Sequence, residues 1–248
     1  MKLRNQTSNR SVASIISVKA LAFVLCLSLI TLIPQSALAV DACAVSPTDV
    51  ECVIDQPKSL QVVVNKTRPV TPVTYQPNDL RTVPKYNPYG RILRKSVSAA
   101  VVKLGDAMKA AGKGTLIVQS GYRSYYSQKS ILAAKIRSIG KTKALKLVAK
   151  PGYSEHQTGL AVDFAAKGLS TLQTSFAKTK AGIWLAENAY QYGFVLRYPK
   201  GKTEITGYSF EPWHFRYVGV DLATAMHEQG IQTLEEYFAL PAAPNYLN

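Results

Sequence analysis

Cysteine, histidine and acidic residues are all scarce in this chain, and each scarcity excludes something. Three cysteines among 248 residues are too few for a scaffold built on disulfides. Three histidines leave few candidates for metal or proton chemistry, so where they stand matters. Fifteen acids against thirty bases give a formal charge of +15, a surface drawn to polyanions. No arginine-rich run or aromatic-interleaved basic stripe accompanies that charge, which argues against nucleic acid as a partner. Internal repeats and low-complexity segments are missing too. A single long apolar run, from Ala20 to Ile33, is short for a membrane span.

What is present starts with a leader. Lys2, Arg4, Arg10 and Lys19 precede that run, and Pro34 and the small-residue site Ala37-Leu38-Ala39 follow it. This is the pattern of a secretory signal over residues 1–39, cleaved after Ala39; the alternative is an uncleaved anchor, the only route to membrane association. Removing its four positive charges leaves about +11 on the mature chain. Export to the periplasm or cell wall follows, where the available polyanions are wall polymers and anionic headgroups. Cys26 leaves with the leader, and Cys43 and Cys52 read as a small disulfide loop. Residues 40–75 form an N-terminal arm, 76–240 one domain of ordinary size, and 241–248 a frayed tail.

Two segments carry the chemistry. Ser154-Glu155-His156-Gln157-Thr158-Gly159-Leu160-Ala161-Val162-Asp163 and Glu211-Pro212-Trp213-His214 hold two of the three histidines. His156, Asp163 and His214 make a three-ligand metal site of the catalytic kind, which leaves a further position for water. Such a site needs a carboxylate that is not a ligand to move the proton, and Glu211 is the candidate. His156 and Asp163 are an odd number of residues apart, so one unbroken strand would send them to opposite faces. Thr158-Gly159 must therefore interrupt it, after which Leu160, Val162 and Phe164 face a core and Asp163 the site. Pro212 imposes a similar break before His214.

These residues also resemble a family. The Ser-x-His-x-x-Gly-x-Ala-x-Asp pattern followed by Glu-x-Trp-His is similar to the zinc D-alanyl-D-alanine carboxypeptidases of the VanY type, within the lysostaphin-like and hedgehog metallopeptidase group. The likeness runs through Ser120-Gly121-Tyr122-Arg123-Ser124, Tyr192 to Pro199 and Thr206-Gly207-Tyr208, and covers about residues 60 to 240. It implies one Zn2+ per chain on His156, Asp163 and His214. It also implies that Arg123 stands beside the metal to hold substrate or the oxyanion, with Gln128 and Ser154 contacting substrate. Stem peptides of peptidoglycan are the implied partners. The expected activity is a D,D-carboxypeptidase; alternatives are an L,D-carboxypeptidase and a non-catalytic wall-binding module.

Periodicity predicts the frame. Gln61 to Asn65 reads as a strand, Arg91 to Ala111 as a helix with Leu93, Val97, Val101, Leu104 and Met108 inward, and Leu116 to Gln119 as a buried strand. Tyr125–Ser138, Lys141–Ala149 and Thr174–Tyr192 read as helices, Phe194–Arg197 and Trp213–Val218 as strands, and Asp221–Gln229 and Leu234–Phe238 as closing helices. His227 is assigned to an exposed helical face. Together these give an α+β domain with a small, mainly antiparallel sheet flanked by helices, of the hedgehog/DD-peptidase type.

Overall fold

The computed structural model describes residues 53–169 and 172–247; the leader and the Cys43–Cys52 pair lie outside the described residues. The architecture is α+β. A ribbon of β1 (Leu80–Thr82) and β2 (Ile92–Arg94) leads into α1 (Lys95–Ala110), followed by β3 (Leu116–Ser120), α2 (Tyr125–Ile139) and the short α3 (Lys141–Ala144). Then come β4 (Ala161–Ala166), α4 (Lys180–Asn188), β5 (Phe194–Leu196), α5 (Thr203–Thr206), β6 (His214–Tyr217), α6 (Val220–Glu228) and α7 (Leu234–Tyr237). The main sheet runs β3-β4-β6-β5, antiparallel throughout.

The apolar stripe of α1 meets the inner face of that sheet. Val97, Val101, Leu104 and Met108 are all fully enclosed, as their helical spacing requires, and pack with Leu116, Val118, Leu160, Val162, Phe164, Phe194 and Phe215 in one core; Leu93 joins that core from β2, because the helix expected from Arg91 begins only at Lys95. The opposite face of β4 and β6 is left for the site. Register does this: Asp163 lies opposite His214, and Val162 opposite Phe215, so alternation puts one pair in the core and the other outside it.

Several local expectations change. Gln61–Asn65 joins no strand; it is an extended segment whose Val62 and Val64 enter the main core, where burial alone satisfies an apolar run. The basic helix after Gly140 stops at Ala144, and residues 145–150 form turns and extended chain. The expected helix from Thr174 to Tyr192 is three pieces: 3-10 turns at Thr174–Lys178 and Ala189–Tyr192 flank α4. Thr179 divides the first two by capping Gly182 N–H with its hydroxyl. The tail is docked, not frayed: Ala243 is fully buried and its N–H bonds Ile205 O at 2.8 Å. His227 is exposed on α6 as expected, stacked on Tyr190 at 3.7 Å.

Candidate metal centre

His156 sits in a single 3-10 turn, Glu155–Thr158, that ends at Gly159 with φ +68°. That left-handed value favours glycine, and a Cβ there would meet Arg94 Cγ at 3.0 Å and Leu80 Cδ2 at 3.1 Å. This turn is the interruption that the odd spacing demands. It swings His156 over the sheet beside Asp163 of β4, and β6 brings His214 alongside. The turn is pinned to the end of β3 from both sides: Arg123 N–H donates to His156 O at 3.2 Å, and His156 Nδ1 lies 2.7 Å from Gly121 O. A side chain on Gly121 would strike Ile92 O at 2.6 Å, so the carbonyl's approach depends on glycine.

The contact to Gly121 O settles the His156 tautomer. A carbonyl only accepts, so His156 carries its proton on Nδ1 and turns the Nε2 lone pair toward Asp163 Oδ2, 3.4 Å away. His214 is reversed: Nε2 faces Glu155 Oε2 at 3.6 Å, and Nδ1 faces Asp163 Oδ1 at 3.2 Å and Glu211 Oε2 at 3.8 Å. One donor atom from each of His156, Asp163 and His214 falls within 4.8 Å of the others. His156 Nε2 and Asp163 Oδ1 are buried without a hydrogen-bond partner, a costly state for polar atoms unless something binds there. Two imidazole nitrogens and a carboxylate oxygen suit zinc, and the donor set fits.

Electrostatics divide the two imidazoles. Burial and the Arg123 charge lower His156 to about 4, against the pull of Asp163. Burial opposes protonation of His214 too, but Asp163, Glu155 and Glu211 win and lift it to about 9. Asp163 is held well below the carboxylate range by His156 and His214 despite its burial. Glu211 goes the other way, to about 7: burial raises it, His214 and Arg123 oppose, and Asp163 adds repulsion.

Beneath the site lies a charged layer for which the motifs assigned no role. Glu155 Oε1 accepts from Arg197 Nε and from an Arg216 terminal nitrogen, each at 2.9 Å. Arg197 forms a two-pronged pair with Glu235 at 2.7 and 2.8 Å, and Asn65 donates to the same carboxylate at 3.0 Å. The other Arg216 terminal nitrogen reaches Leu60 O and Val62 O, which ties the N-terminal arm to the sheet. Burial would raise the Glu155 carboxyl; the two guanidiniums override it and hold it well below the usual range. Sequence offered one signal, Arg216 two residues from His214 on the same face of β6. The ion partners are up to 61 residues apart, so no local pattern pairs them.

Other expected site residues divide. Arg123, Ser154, Glu211 and both histidine ligands line one cavity of about 50 Å3, walled also by Tyr198 and Tyr208. The Tyr198 ring packs at a tilt against both His214 and Tyr208, with ring centroids 4.7 Å apart in each pair. Gln128 is fully buried and does not line this cavity; its Nε2 donates to Ala149 O at 2.9 Å, bracing the wall rather than facing the pocket.

A small α+β domain with two histidines and an aspartate on one sheet face, and an unligated glutamate beside them, defines a single-metal hydrolase. The pattern of the D-alanyl-D-alanine carboxypeptidase family, VanY, matches residues 90–220, and the chain belongs to that family. It is 41% identical to the putative carboxypeptidase YodJ of Bacillus subtilis strain 168, over 75% of this chain and 69% of that one. Among solved structures it is similar to the LD-carboxypeptidase LdcB, with TM-score 0.69 and 39% identity over 77% of this chain and 92% of that one. A VanY D,D-pentapeptidase from a VanB-type resistance cassette, in complex with Zn(II), superimposes with TM-score 0.61 and 38% identity over 72% of this chain and 98% of that one.

Proposed function

We propose that this protein is a zinc carboxypeptidase that removes the C-terminal D-alanine from peptidoglycan stem peptides, a D,D-carboxypeptidase. The carrying observation is the small cavity lined by His156, His214, the unligated buried Glu211 and the buried Arg123, with Asp163 placing a third donor atom within 4.8 Å of both histidines. His156 through Nε2, Asp163, and His214 through Nδ1 would hold the ion. Zinc, when bound, supplies Lewis acidity toward the scissile carbonyl and the attacking water.

The chain's own groups do the rest. Glu211 takes the proton from the water as its oxygen adds to the carbonyl carbon, then delivers it to the departing amine as the C–N bond breaks. Burial raises its carboxyl above the usual carboxylate range, the direction that favours holding and returning a proton. Arg123 has a buried Nε without a partner and is the charge available to a substrate carboxylate or the developing oxyanion. Ser154 stands in the cavity wall as a hydrogen-bonding group for substrate. The Tyr198 and Tyr208 rings and Ala149, which Gln128 braces, leave room for a small terminal residue.

The surrounding biology follows from the leader. Secretion with cleavage after Ala39, a Cys43–Cys52 disulfide and residence in the periplasm or cell wall fit a stem-peptide substrate, and a membrane would be reached only through an uncleaved leader. The L,D reading, in which a tetrapeptide stem is shortened, is favoured by the likeness to LdcB. Mass spectrometry of pentapeptide and tetrapeptide stems incubated with the mature protein, with and without chelator, separates the two. D-Alanine loss from the pentapeptide that stops with chelator supports the D,D activity, and shortening of the tetrapeptide alone supports the L,D one. Cleavage of neither by the metal-loaded protein would sink both.

A further inference from the structure

Beyond the catalytic cavity the surface opens into a groove of about 640 Å3 between the end of α2, α3 and the loop at Ser209. The two adjoin: Leu147, an exposed apolar side chain, lines both, and Tyr208 walls the one while its neighbour Ser209 walls the other. A carboxypeptidase has a single residue on the leaving side of the bond it cuts. A groove of this size therefore suits the long acyl side of the substrate.

The charge of the groove is one-sided. Lys143 and Lys146 line it, no acidic residue does, and neither lysine takes part in an ion pair among the described residues. Lys66, almost fully buried, stands 4.9 Å over the Tyr208 ring with Pro244 O, 3.3 Å away, as its hydrogen-bond acceptor. Burial first, and then the charge of Lys146, lower its affinity for a proton, so Lys146 is close enough for the two cations to repel. Lys150 adds a further ammonium 4.2 Å from the Tyr246 ring. With two lysines and no carboxylate lining it, the groove favours an anionic ligand.

We propose that Lys143 and Lys146 form a subsite for a free carboxylate on the acyl part of the stem peptide, making the protein selective for stems whose acidic residues are not amidated. The inference rests on the carboxypeptidase reading. Exposed ion pairs are individually modest, so two of them should yield roughly a tenfold preference, weakening as salt rises.

The test uses two stem pentapeptides with identical free C-termini, differing only in whether the internal acidic residues are carboxylates or carboxamides. Their binding to zinc-loaded Glu211→Gln protein is measured by calorimetry, and their kcat/KM with the unaltered enzyme. The free-acid peptide should bind about ten times more tightly, with the same ratio carried in KM. In Lys143→Gln/Lys146→Gln protein that ratio should fall to near one, while Lys178→Gln/Lys180→Gln, which removes the same charge elsewhere, should leave it unchanged. A preference that survives the first double substitution, or vanishes equally in the second, overturns the subsite. So does a wall phosphate polymer whose binding the first pair abolishes while the peptide ratio stays put. Failure of the unaltered enzyme to cut either pentapeptide would refute the D,D reading, and the binding ratio would still decide the subsite.

Discussion

Replacing Glu155 by glutamine keeps the shape of the side chain and removes its charge, in a place where that charge does two jobs. Its Oε1 lies 2.9 Å from both Arg197 and Arg216, and its Oε2 3.6 Å from His214 Nε2. The side chains of Glu155, Arg197 and Arg216 have no exposure. Leaving two buried guanidiniums with Glu235 as their one remaining carboxylate should cost about 3 to 5 kcal/mol. Losing the negative charge 3.6 Å from the far nitrogen of His214 should weaken metal binding by about 10- to 100-fold. Glu235→Gln is the matched control, since it disturbs the same arginine network without touching His214. Denaturant unfolding in chelator should show both variants destabilised, and competition with a zinc indicator should show affinity lost in Glu155→Gln alone. Equal zinc affinity in Glu155→Gln and the unaltered protein, or equal loss in both variants, would refute the positioning argument. The acid limb should change as well. Glu155 titrates lower folded than unfolded, so its contribution is full above its ordinary value of 4.5 and is lost as pH falls below it. Glu155→Gln should flatten stability against pH in that window.

Further outcomes follow from the same geometry. Glu211→Gln should lower kcat by about 10²- to 10⁴-fold and retain zinc, whereas His214→Ala should lose metal and turnover together, as elemental analysis beside a peptidase assay would reveal. At pH 8 the metal-free His214, at about 9, is mainly protonated while His156, at about 4, is neutral. Zinc binding should therefore release about one proton from His214, falling toward none well above pH 9; calorimetry in buffers of differing ionisation enthalpy counts it, and no release at pH 8 would contradict the assignment. Gly159→Ala, forced to φ +68° against Arg94 and Leu80, should destabilise by about 1 to 3 kcal/mol, read by thermal unfolding, with no effect expected only if the turn can flatten. Deleting residues 242–247 removes buried Ala243 and the Tyr246 hydroxyl that accepts from Lys150 N–H at 2.8 Å. It should raise KM more than it lowers kcat, because Lys150 leads into the cavity wall.

The parts legible in the sequence are those whose cause is local. Helix α1 and strands β3, β4 and β6 announce themselves because burying one face imposes a period on neighbouring residues. The ligands His156, Asp163 and His214 could be named because metal chemistry restricts residue type, and the break at Gly159 because an odd spacing had to be repaired. Where expectation and structure part, the deciding contact comes from a distance. The valines at 62 and 64 are apolar enough for a strand, yet Arg216 claims the carbonyls of Leu60 and Val62. The tail looked free because its anchors, Ile205 and Lys150, are far away in the chain. Gln128 looked like a substrate contact, and its orientation toward Ala149 depends on how α2 meets the following loop.

By itself, then, the sequence pointed to the family and to His156, Asp163, His214 and Glu211 as the candidate ligands and base, since these depend on residue identity and short-range spacing; the register that places Asp163 beside His214 came from the fold. Tertiary structure alone decided which nitrogen of each histidine faces Asp163, that Glu155 is anchored by Arg197 and Arg216, and that lysines without an ion pair among the described residues border the groove beyond Leu147. Those are properties of charges and carbonyls brought together across dozens of residues. Their energies depend on burial and distance, which exist only once the chain has closed on itself.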